Sequence, residues 1–364
     1  MNPFSSLYYL RENKGRAVLC IFMMFLGTFM FLGGNYVDSM IRTFDRSFEY
    51  FDKVVKVSVQ TTDEKFRDFE AFVEDVKADP QLDYVRYSAL GFPSLSHGTV
   101  LGLDVYDTCM VFNSVEDMKK VFDHLGIRAD LSGCRDRSVV LTEDFAKNRG
   151  LKLGDTLDKS DNIYLDTTYT VDALVDEPGY AMFYLFSNPQ NLYRMYIFSD
   201  TLQGEELYDH VAKLAGDRKV QMVQTYRKEV MPEMTILYVI FYAMVALVAI
   251  VLAVTINSVM TGQYMKRTYE FGVYRALGRS RREIRRKVAK EVLSMNLLAV
   301  LAGAAVTLLY TYLINSLLYE EKGLHLRYFS WIGFLGFLLC EVLILIPVIL
   351  SKGRRMGKAD VTEF

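Results

Sequence analysis

Apolar residues are concentrated in four long blocks, and the stretch between the first two has the mixed pattern of a water-soluble domain. Residues 17–34 contain no charged residue, and uncharged runs also cover 234–265 and 292–319. The fourth block, 328–351, contains a single acid, Glu341. Because about 20 apolar residues of helix cross the hydrocarbon core of a bilayer, these blocks predict four membrane-spanning helices.

The first block has an alternative interpretation as a cleaved signal peptide, because basic residues precede it. Its uncharged run continues to Val37, however, which is longer than the apolar region of an ordinary signal peptide, and no A-x-A cleavage site follows. Gly33, Gly34 and Asn35 come after the block instead. The sequence therefore favours a retained helix.

Charged residues are distributed unevenly along the chain. Although the net charge is only −2, residues 35–234 contain 35 acids and 23 bases, whereas the remainder contains 9 acids and 19 bases. In the short segments that flank the blocks, 17 of 19 Lys and Arg residues fall on one side. Because Lys and Arg accumulate in cytoplasmic loops, we expect both termini in the cytoplasm and the acidic region outside a plasma membrane.

The predicted fold class is a membrane protein with four transmembrane α-helices, arranged one plus three, and an inserted α+β extracytoplasmic domain. The predicted segments are a cytoplasmic N-terminal segment (1–16), transmembrane helix 1 (17–37), the extracytoplasmic domain (38–233), transmembrane helix 2 (234–262), a cytoplasmic coupling segment (263–291), transmembrane helix 3 (292–319), an external hairpin (320–327), transmembrane helix 4 (328–351) and a cytoplasmic tail (352–364).

The acidic region has patterns of both strands and helices. Val55, Val57 and Val59 alternate with polar residues, as in a half-buried strand. Thr61 and Glu64 form a candidate capping box for a helix that stops at Asp79-Pro80. A second helix is predicted over 114–125, and further strands near 99–106, 139–142, 169–175 and 192–198. We expect an α+β region in one or two subdomains.

Aromatic residues are dense over 180–198. They could form an apolar surface for a lipid or peptide, or pack as a pair of strands on a core, and the second interpretation is favoured. The aromatic residues concerned are Tyr180, Phe183, Tyr184, Phe186, Tyr193, Tyr196 and Phe198.

The segment between the second and third blocks predicts a helix, a sharp corner and a second helix. Residues 266–277 have helical propensity, with Tyr274 and Leu277 on one face. Gly278 suits the left-handed position that ends a helix. Ser280 and Glu283 form another candidate capping box, and no helix breaker separates it from the third block. Force on the short helix would therefore pass into the membrane.

A basic cluster follows this corner. It predicts either an anchor for lipid headgroups, worth about 1 kcal/mol per charge at an anionic leaflet, or a docking site for an acidic partner, and both roles are compatible. Its members are Arg281, Arg282, Arg285, Arg286 and Lys287.

Two sequence patterns resemble known families. The run Glu270-Phe271-Gly272-Val273-Tyr274-Arg275-Ala276-Leu277-Gly278, followed by Glu291, resembles the E-x-G-x-x-R-A-L-G signature of FtsX-like permeases. Three stretches of the acidic region are similar to the periplasmic core domain of MacB-type permeases; they are Val139-Val140-Leu141-Thr142, the run from Gly150 to Thr156, and Tyr169-Thr170-Val171.

The resemblance implies a type VII ABC transporter, in which two permeases pair with two ATPase subunits and transmit ATP-driven motion to the outer domain. The ATPase-coupling residues would be Glu270, Phe271, Gly272, Tyr274, Arg275, Ala276, Leu277 and Gly278. MacB itself carries its ATPase on the same chain, but no G-x-x-x-x-G-K-[ST] loop is present here. ATP and Mg would therefore bind a separate ATPase subunit, and this chain would hold no cofactor.

The remaining partners would be membrane lipid and a second permease, either identical or a paralogue, with no nucleic acid. The expected function is export or extraction of a peptide, lipoprotein or lipid. The alternative is a signal transmitter that activates a cell-wall hydrolase or a sensor kinase.

Residues that could carry catalysis are scattered. His97, His124, His210 and His325 lack metal-ligand spacing, and no G-x-S-x-G motif is present, so we expect no catalytic residue and no metal site. A membrane-anchored enzyme is therefore disfavoured.

Three further polar residues have open interpretations. Cys109 and Cys134 could pair in an oxidising exterior. Glu341 is costly in mid-membrane, so we expect it to bond another helix or the interface, or to serve as a proton or subunit contact.

Overall fold

The computed structural model describes residues 14–48, 50, 53–59, 63–88, 98–105, 108–161, 165, 167–188, 192–223 and 226–356. Thr61, His97, Tyr106 and the outer parts of the two predicted terminal segments lie outside these residues. The helices and strands, in chain order, are α1 (Lys14–Ser47), β1 (Val55–Ser58), α2 (Asp63–Ala78), β2 (Asp83–Tyr87), β3 (Gly98–Val100), β4 (Leu103–Val105), β5 (Thr108–Phe112), α3 (Val115–Leu125), β6 (Ser138–Thr142), α4 (Glu143–Arg149), β7 (Thr156–Leu157), β8 (Tyr169–Val175), β9 (Ala181–Leu185), β10 (Arg194–Phe198), α5 (Gly204–Ala215), β11 (Gln221–Val223), α6 (Tyr226–Met265), α7 (Thr268–Ala276), α8 (Arg281–Ile314) and α9 (Trp331–Met356).

The chain divides into two compact units. The membrane-helix unit consists of described residues within Met1–Asp38, Ile236–Ile314 and Leu326–Phe364. The α/β unit consists of those within Ser39–Thr235 and Asn315–His325. Helix α1 therefore ends inside the α/β unit, and the segment that follows α8 belongs to that unit as well.

Four helices, α1, α6, α8 and α9, are long and apolar enough to cross a membrane. They coincide with the four apolar blocks of the sequence. The third differs from its predicted extent, because regular helix ends at Ile314 and continues as a π-helical turn over Asn315–Tyr319 and a 3-10 turn over Glu320–Lys322. Both Asn315 and Tyr319 are fully buried, and the hydroxyl of Tyr319 donates to the carbonyl of Leu101 in the α/β unit at 3.5 Å.

Close packing in the membrane-helix unit depends on small residues where α1 meets α9. A Cβ at Gly34 would overlap the backbone of Gly333, so the two helices touch through their main chains. The neighbouring Asn35 donates from Nδ2 to the carbonyl of Tyr328, 3.1 Å away, and accepts from Ser330 Oγ at 2.9 Å. These contacts pair polar groups that would be costly to bury alone.

One layer of the α/β unit is a four-stranded antiparallel sheet in the order β11-β1-β10-β2. The connections β1-α2-β2 and β10-α5-β11 form two interleaved βαβ units, the split βαβ arrangement. Val55 and Val57 point to α2 and α5, whose residues Phe69, Phe72 and Val211 complete this core. The strand predicted from the alternating valines is confirmed.

The second layer is a mixed five-stranded sheet in the order β5-β9-β6-β8-β7, inserted between β2 and β10. Its strands and helix α3 confirm the elements predicted near 139–142, 169–175 and 114–125. The stretch predicted as one strand near 99–106 forms the hairpin β3-β4 instead, because Leu101 and Gly102 take positive φ values and turn the chain.

Cys109 and Cys134 are not joined by a disulfide. Cys109 lies on β5, level with Met182 of β9 and with Leu141 of β6. Cys134 precedes Ser138, the first residue of β6, at the opposite end of the strands. The sheet therefore holds the two cysteines apart, and they do not pair in this structure.

The aromatic stretch is part of the protein core. Tyr180, Phe183, Tyr184, Tyr196 and Phe198 are all buried, which confirms that they pack in a core and do not form an apolar surface, but the predicted strand pair is wrong. The two strands do not pair with each other, because β9 belongs to the five-stranded sheet and β10 to the four-stranded one. The aromatic rings instead join the two sheets; Phe112 of β5, for example, contacts both Phe183 and Tyr196.

Candidate functional site

The predicted helix-corner-helix is present at the end of α6. Helix α7 ends at Ala276, and Gly278 has φ +85°, a left-handed conformation that glycine adopts without strain. Glu283 accepts from the backbone N–H of Ser280 at 2.8 Å, while Ser280 Oγ accepts from the N–H of Glu283 at 3.2 Å. This reciprocal capping box starts α8 and confirms that prediction.

Arg267, in the turn between α6 and α7, bonds two carboxylates. Its Nε and Nη2 donate to Glu270 at 2.7 and 3.0 Å. Its Nη1 and Nη2 donate to Glu291 of α8 at 2.8 and 3.2 Å. The planar guanidinium suits such paired contacts, and it thereby fastens the start of α7 to α8.

Glu291 receives two more partners at the centre of the same cluster. Tyr264 of α6 donates its hydroxyl to Glu291 at 3.0 Å, and Lys287 Nζ lies 3.4 Å from the carboxylate. The side chains of Lys287 and Glu291 are both almost fully buried. Two cations thus face two anions, which offsets the desolvation that makes an isolated buried charge so costly. We call Tyr264, Arg267, Glu270, Lys287 and Glu291 the inner ionic network.

Tyr274 closes the network on the side of α7. Its hydroxyl donates to Glu270 at 3.1 Å, and its ring lies 5.4 Å from Lys287 Nζ. Burial and the adjacent Glu270 raise the pKa of Tyr274 to about 12. The hydroxyl therefore remains a hydrogen-bond donor at any physiological pH.

The pKa values of the ion pair shift in opposite directions. Burial alone would raise the pKa of Glu270, but the hydrogen bond and charge of Arg267 bring it below its usual value. Burial alone would lower the pKa of Arg267, but Glu270 and Glu291 raise it. Both groups are charged at neutral pH, so the network holds α7 on α8 ionically.

The outside of the corner is exposed and combines apolar with basic residues. Leu277 is 75% exposed and Tyr269 63% exposed. Leu277 was expected on the face of Tyr274, but it follows the end of α7, and the turn at Gly278 directs it outward. We call the exposed set the corner surface; it consists of Tyr269, Ala276, Leu277, Gly278, Arg281, Arg282, Arg285 and Arg286.

A family comparison covers this region. Residues 238–358 match the family model described as FtsX-like permease C-terminal. This region is an FtsX-like permease domain. A comparison with curated proteins found no match. The match and the four apolar helices are together consistent with a membrane permease.

The FtsX-like domain contains all of the predicted coupling residues, and they separate into two groups. Phe271 and Gly272 are buried, Glu270, Tyr274 and Arg275 are half-buried, and the rest lie on the corner surface. The prediction that the basic cluster anchors headgroups is wrong for Lys287, because its side chain is buried against Glu291. The spacing of four residues between Lys287 and Glu291 was the available signal for this pair.

Sequence reasoning missed Arg267 and Tyr264 as members of the site. Arg267 was counted only as a positive charge for topology, and Tyr264 only as part of an apolar block. Both bond Glu291, which lies more than twenty residues away in the chain. No local pattern predicts contacts at that separation.

Glu341 of α9 is buried in the membrane-helix unit. Asn296 of α8 donates from Nδ2 to Glu341 Oε2 at 2.7 Å, which is the bond to another helix that one interpretation required. Glu341 Oε1 and Asn296 Oδ1 have no hydrogen-bond partner among the residues that the structure describes. The pair therefore joins α8 to α9 but is only half satisfied.

The three stretches that resemble MacB-type permeases are neighbours in the α/β unit. Val139–Thr142 lie in β6, which pairs with β8, and Gly150 and Gly154 frame the turn from α4 to β7 with positive φ. The family match does not extend to them, so this likeness stays a prediction. Within the described part of the chain, no group of His, Cys, Asp and Glu has the arrangement of a metal site.

Proposed function

We propose that this protein is the permease subunit of an ABC transporter and that a separate ATPase subunit drives it by pushing on the corner surface. The observation that carries the proposal is the inner ionic network, which fastens α7 to α8 through Arg267, Glu270 and Glu291. A load applied to α7 then moves α8 instead of bending the turn between them.

The corner surface supports the choice of partner. An exposed leucine and tyrosine offer an apolar anchor, and the four arginines that belong to the corner surface favour an acidic rim on the partner. The same arginines predict a cytoplasmic position, since Lys and Arg accumulate on that side. The α/β unit would then lie outside the membrane, with α1 before it and the three other membrane helices after it.

In the proposed mechanism, this chain transmits motion and catalyses no reaction. ATP hydrolysis would move α7, and α8 would carry that motion across the membrane to the α/β unit. The work would export or extract a peptide, lipoprotein or lipid. FtsX-like permeases are generally non-catalytic, which agrees with a division of labour between permease and ATPase.

The first test measures coupling. The tagged chain would be purified from native membranes with its ATPase and reconstituted in nanodiscs. We expect Gly278→Pro and Arg275→Glu to retain the ATPase but to lose permease-dependent stimulation of ATP hydrolysis. Proline cannot adopt φ +85° at the corner, and Arg275→Glu reverses the charge in the last turn of α7. Gly262→Ala, at an exposed helical position with open space around it, is the control.

Normal stimulation in both variants would overturn the coupling role of the corner. The purified chain alone should not bind ATP, and micromolar affinity measured by calorimetry would contradict the division of labour. Co-purification of a cell-wall hydrolase or a sensor kinase, with no substrate-dependent ATPase activity, would favour signalling over transport.

A further inference from the structure

Helix α4 of the α/β unit contacts the chain that continues from two membrane helices. The end of α1 reaches it through Arg46, whose Nη2 lies 2.7 Å from Asp144 Oδ2. The same guanidinium lies 5.0 Å from the ring centre of Tyr180, and the backbone N–H of Tyr180 donates to the carbonyl of Arg46 at 3.3 Å. Asp144 and Tyr180 thus hold the last turns of α1 from two sides.

The hairpin that follows α8 reaches the same two residues. Gly323, at φ +62°, packs so closely that a Cβ there would overlap the carbonyl group of Asp144. Tyr180 donates its hydroxyl to the carbonyl of Gly323 at 2.8 Å, and this bond is buried. Asn148, one turn further along α4, donates to the carbonyl of Lys322 at 3.2 Å.

Asp144 and Tyr180 are therefore shared by both connections. Asp144 bonds Arg46 through its side chain and meets Gly323 through its backbone, while Tyr180 stacks under Arg46 and bonds Gly323 through its hydroxyl. Burial raises the pKa of Tyr180 to about 12, so its hydroxyl stays a donor at physiological pH.

We propose that Arg46, Asp144, Tyr180 and Gly323 form the input site of the α/β unit, where displacement of the helices α1 and α8 is transferred to α4 and to the five-stranded sheet. This inference rests on the proposed function and adds the residues that would receive the motion. They are positioning residues, since none of them is assigned contact with cargo or nucleotide.

The physical basis of this transfer is the close packing of Gly323 against Asp144. The two backbones touch without an intervening side chain, so a shift of the hairpin by a fraction of an ångström moves α4 directly. Packed interfaces of this kind pass on small shifts because they cannot compress. Helix α4 follows β6 without an intervening residue, so its displacement reaches the centre of the sheet.

The test compares backbone hydrogen exchange in the complex purified from native membranes, with and without Mg-ATP. In the unaltered protein we expect nucleotide to change exchange both at the corner of α7 and α8 and in α4. In Gly323→Ala, the change in α4 should be lost while the change at the corner persists.

Gly154→Ala is the matched control, because Gly154 also has positive φ and lies in the α/β unit but has no atom within 4 Å of an added Cβ. It should preserve both responses. If Gly323→Ala does not fold, Tyr180→Phe decides the matter: loss of the hydroxyl should weaken the response of α4 with no effect at the corner.

The outcomes separate this inference from the proposed function. Failure of the corner to respond to Mg-ATP in the unaltered complex would overturn the proposed function itself. A response at the corner without one in α4, or an unchanged response of α4 in both Gly323→Ala and Tyr180→Phe, would overturn the input site alone.

Discussion

The two ends of helix α8 are fastened by opposite kinds of interaction. Near its first residues, Lys287 and Glu291 belong to a buried network of charges that reaches Arg267 and Glu270. Beyond its last residue, the hairpin is fastened by a backbone contact at Gly323 and by the neutral hydroxyl of Tyr180. Helix α8, which contains the first attachment and precedes the second, has 34 residues, or about 50 Å of rise.

This difference shows how one stretch of chain can be fixed at two points by unlike means. A closed network of hydrogen-bonded charges resists rotation, because any displaced member leaves another buried charge without a partner. A backbone contact resists translation, because there is no side chain to adjust its rotamer. The first attachment depends on the charged side chains of the inner ionic network, and the second depends on the absence of a side chain at Gly323.

The largest expected effect on stability is at the inner ionic network, near the start of α8. Glu291→Gln should destabilise the membrane-helix unit by about 3–5 kcal/mol, because Arg267 and Lys287 would lose their buried counter-charge. Thermal unfolding in detergent measures the loss. Lys287→Met in the same background should recover part of it, and Glu321→Gln at an exposed position should change little. An unaltered melting temperature in Glu291→Gln would show that the network contributes no stability.

An intermediate effect on stability is expected at the backbone contact of Gly323, beyond the end of α8. A pair of glycine variants tests it. Gly278 and Gly323 both have positive φ, so alanine at either should cost about 1–2 kcal/mol from backbone conformation. Only Gly323→Ala adds overlap with Asp144, since Gly278 has open space around it. Gly323→Ala should therefore have the lower melting temperature. Equal losses in the two variants would remove the evidence for close backbone contact.

The smallest effect is a pH dependence at the charged end. The pKa of Glu270 is below its usual value in the folded protein. Its contribution to stability is therefore present above the unfolded value of about 4.3 and is lost as the pH falls through the folded value. Melting curves between neutral and acid pH should show a flatter acid limb in Glu270→Gln. An acid limb identical to that of the unaltered protein would contradict this assignment.

Local pattern was sufficient for most elements of the fold. The apolar blocks located the four long helices, because the hydrocarbon core demands a minimum length of uncharged helix. Gly278, Ser280 and Glu283 located the corner, because left-handed backbone and helix capping are local requirements. The alternation around Val57 located the first strand for the same reason.

Partners at long range were beyond local pattern. The Glu341 interpretations named a bond to another helix, but Asn296 as its partner follows only from the packing of α8 against α9. Cys109 and Cys134 suggested a disulfide until the sheet placed them at opposite ends of its strands. The sequence placed Lys287 in a basic cluster on the surface, but its side chain is buried in the fold.

The sequence alone determined that the chain has four apolar helices, a polar region between the first two, and a glycine corner before the third, since each depends on residues adjacent in the chain. Only the tertiary structure decided that Arg267 and Glu291 meet and that Asp144 receives both Arg46 and Gly323. Those meetings depend on how separate elements pack, and packing is set by the shape and burial of many side chains at once.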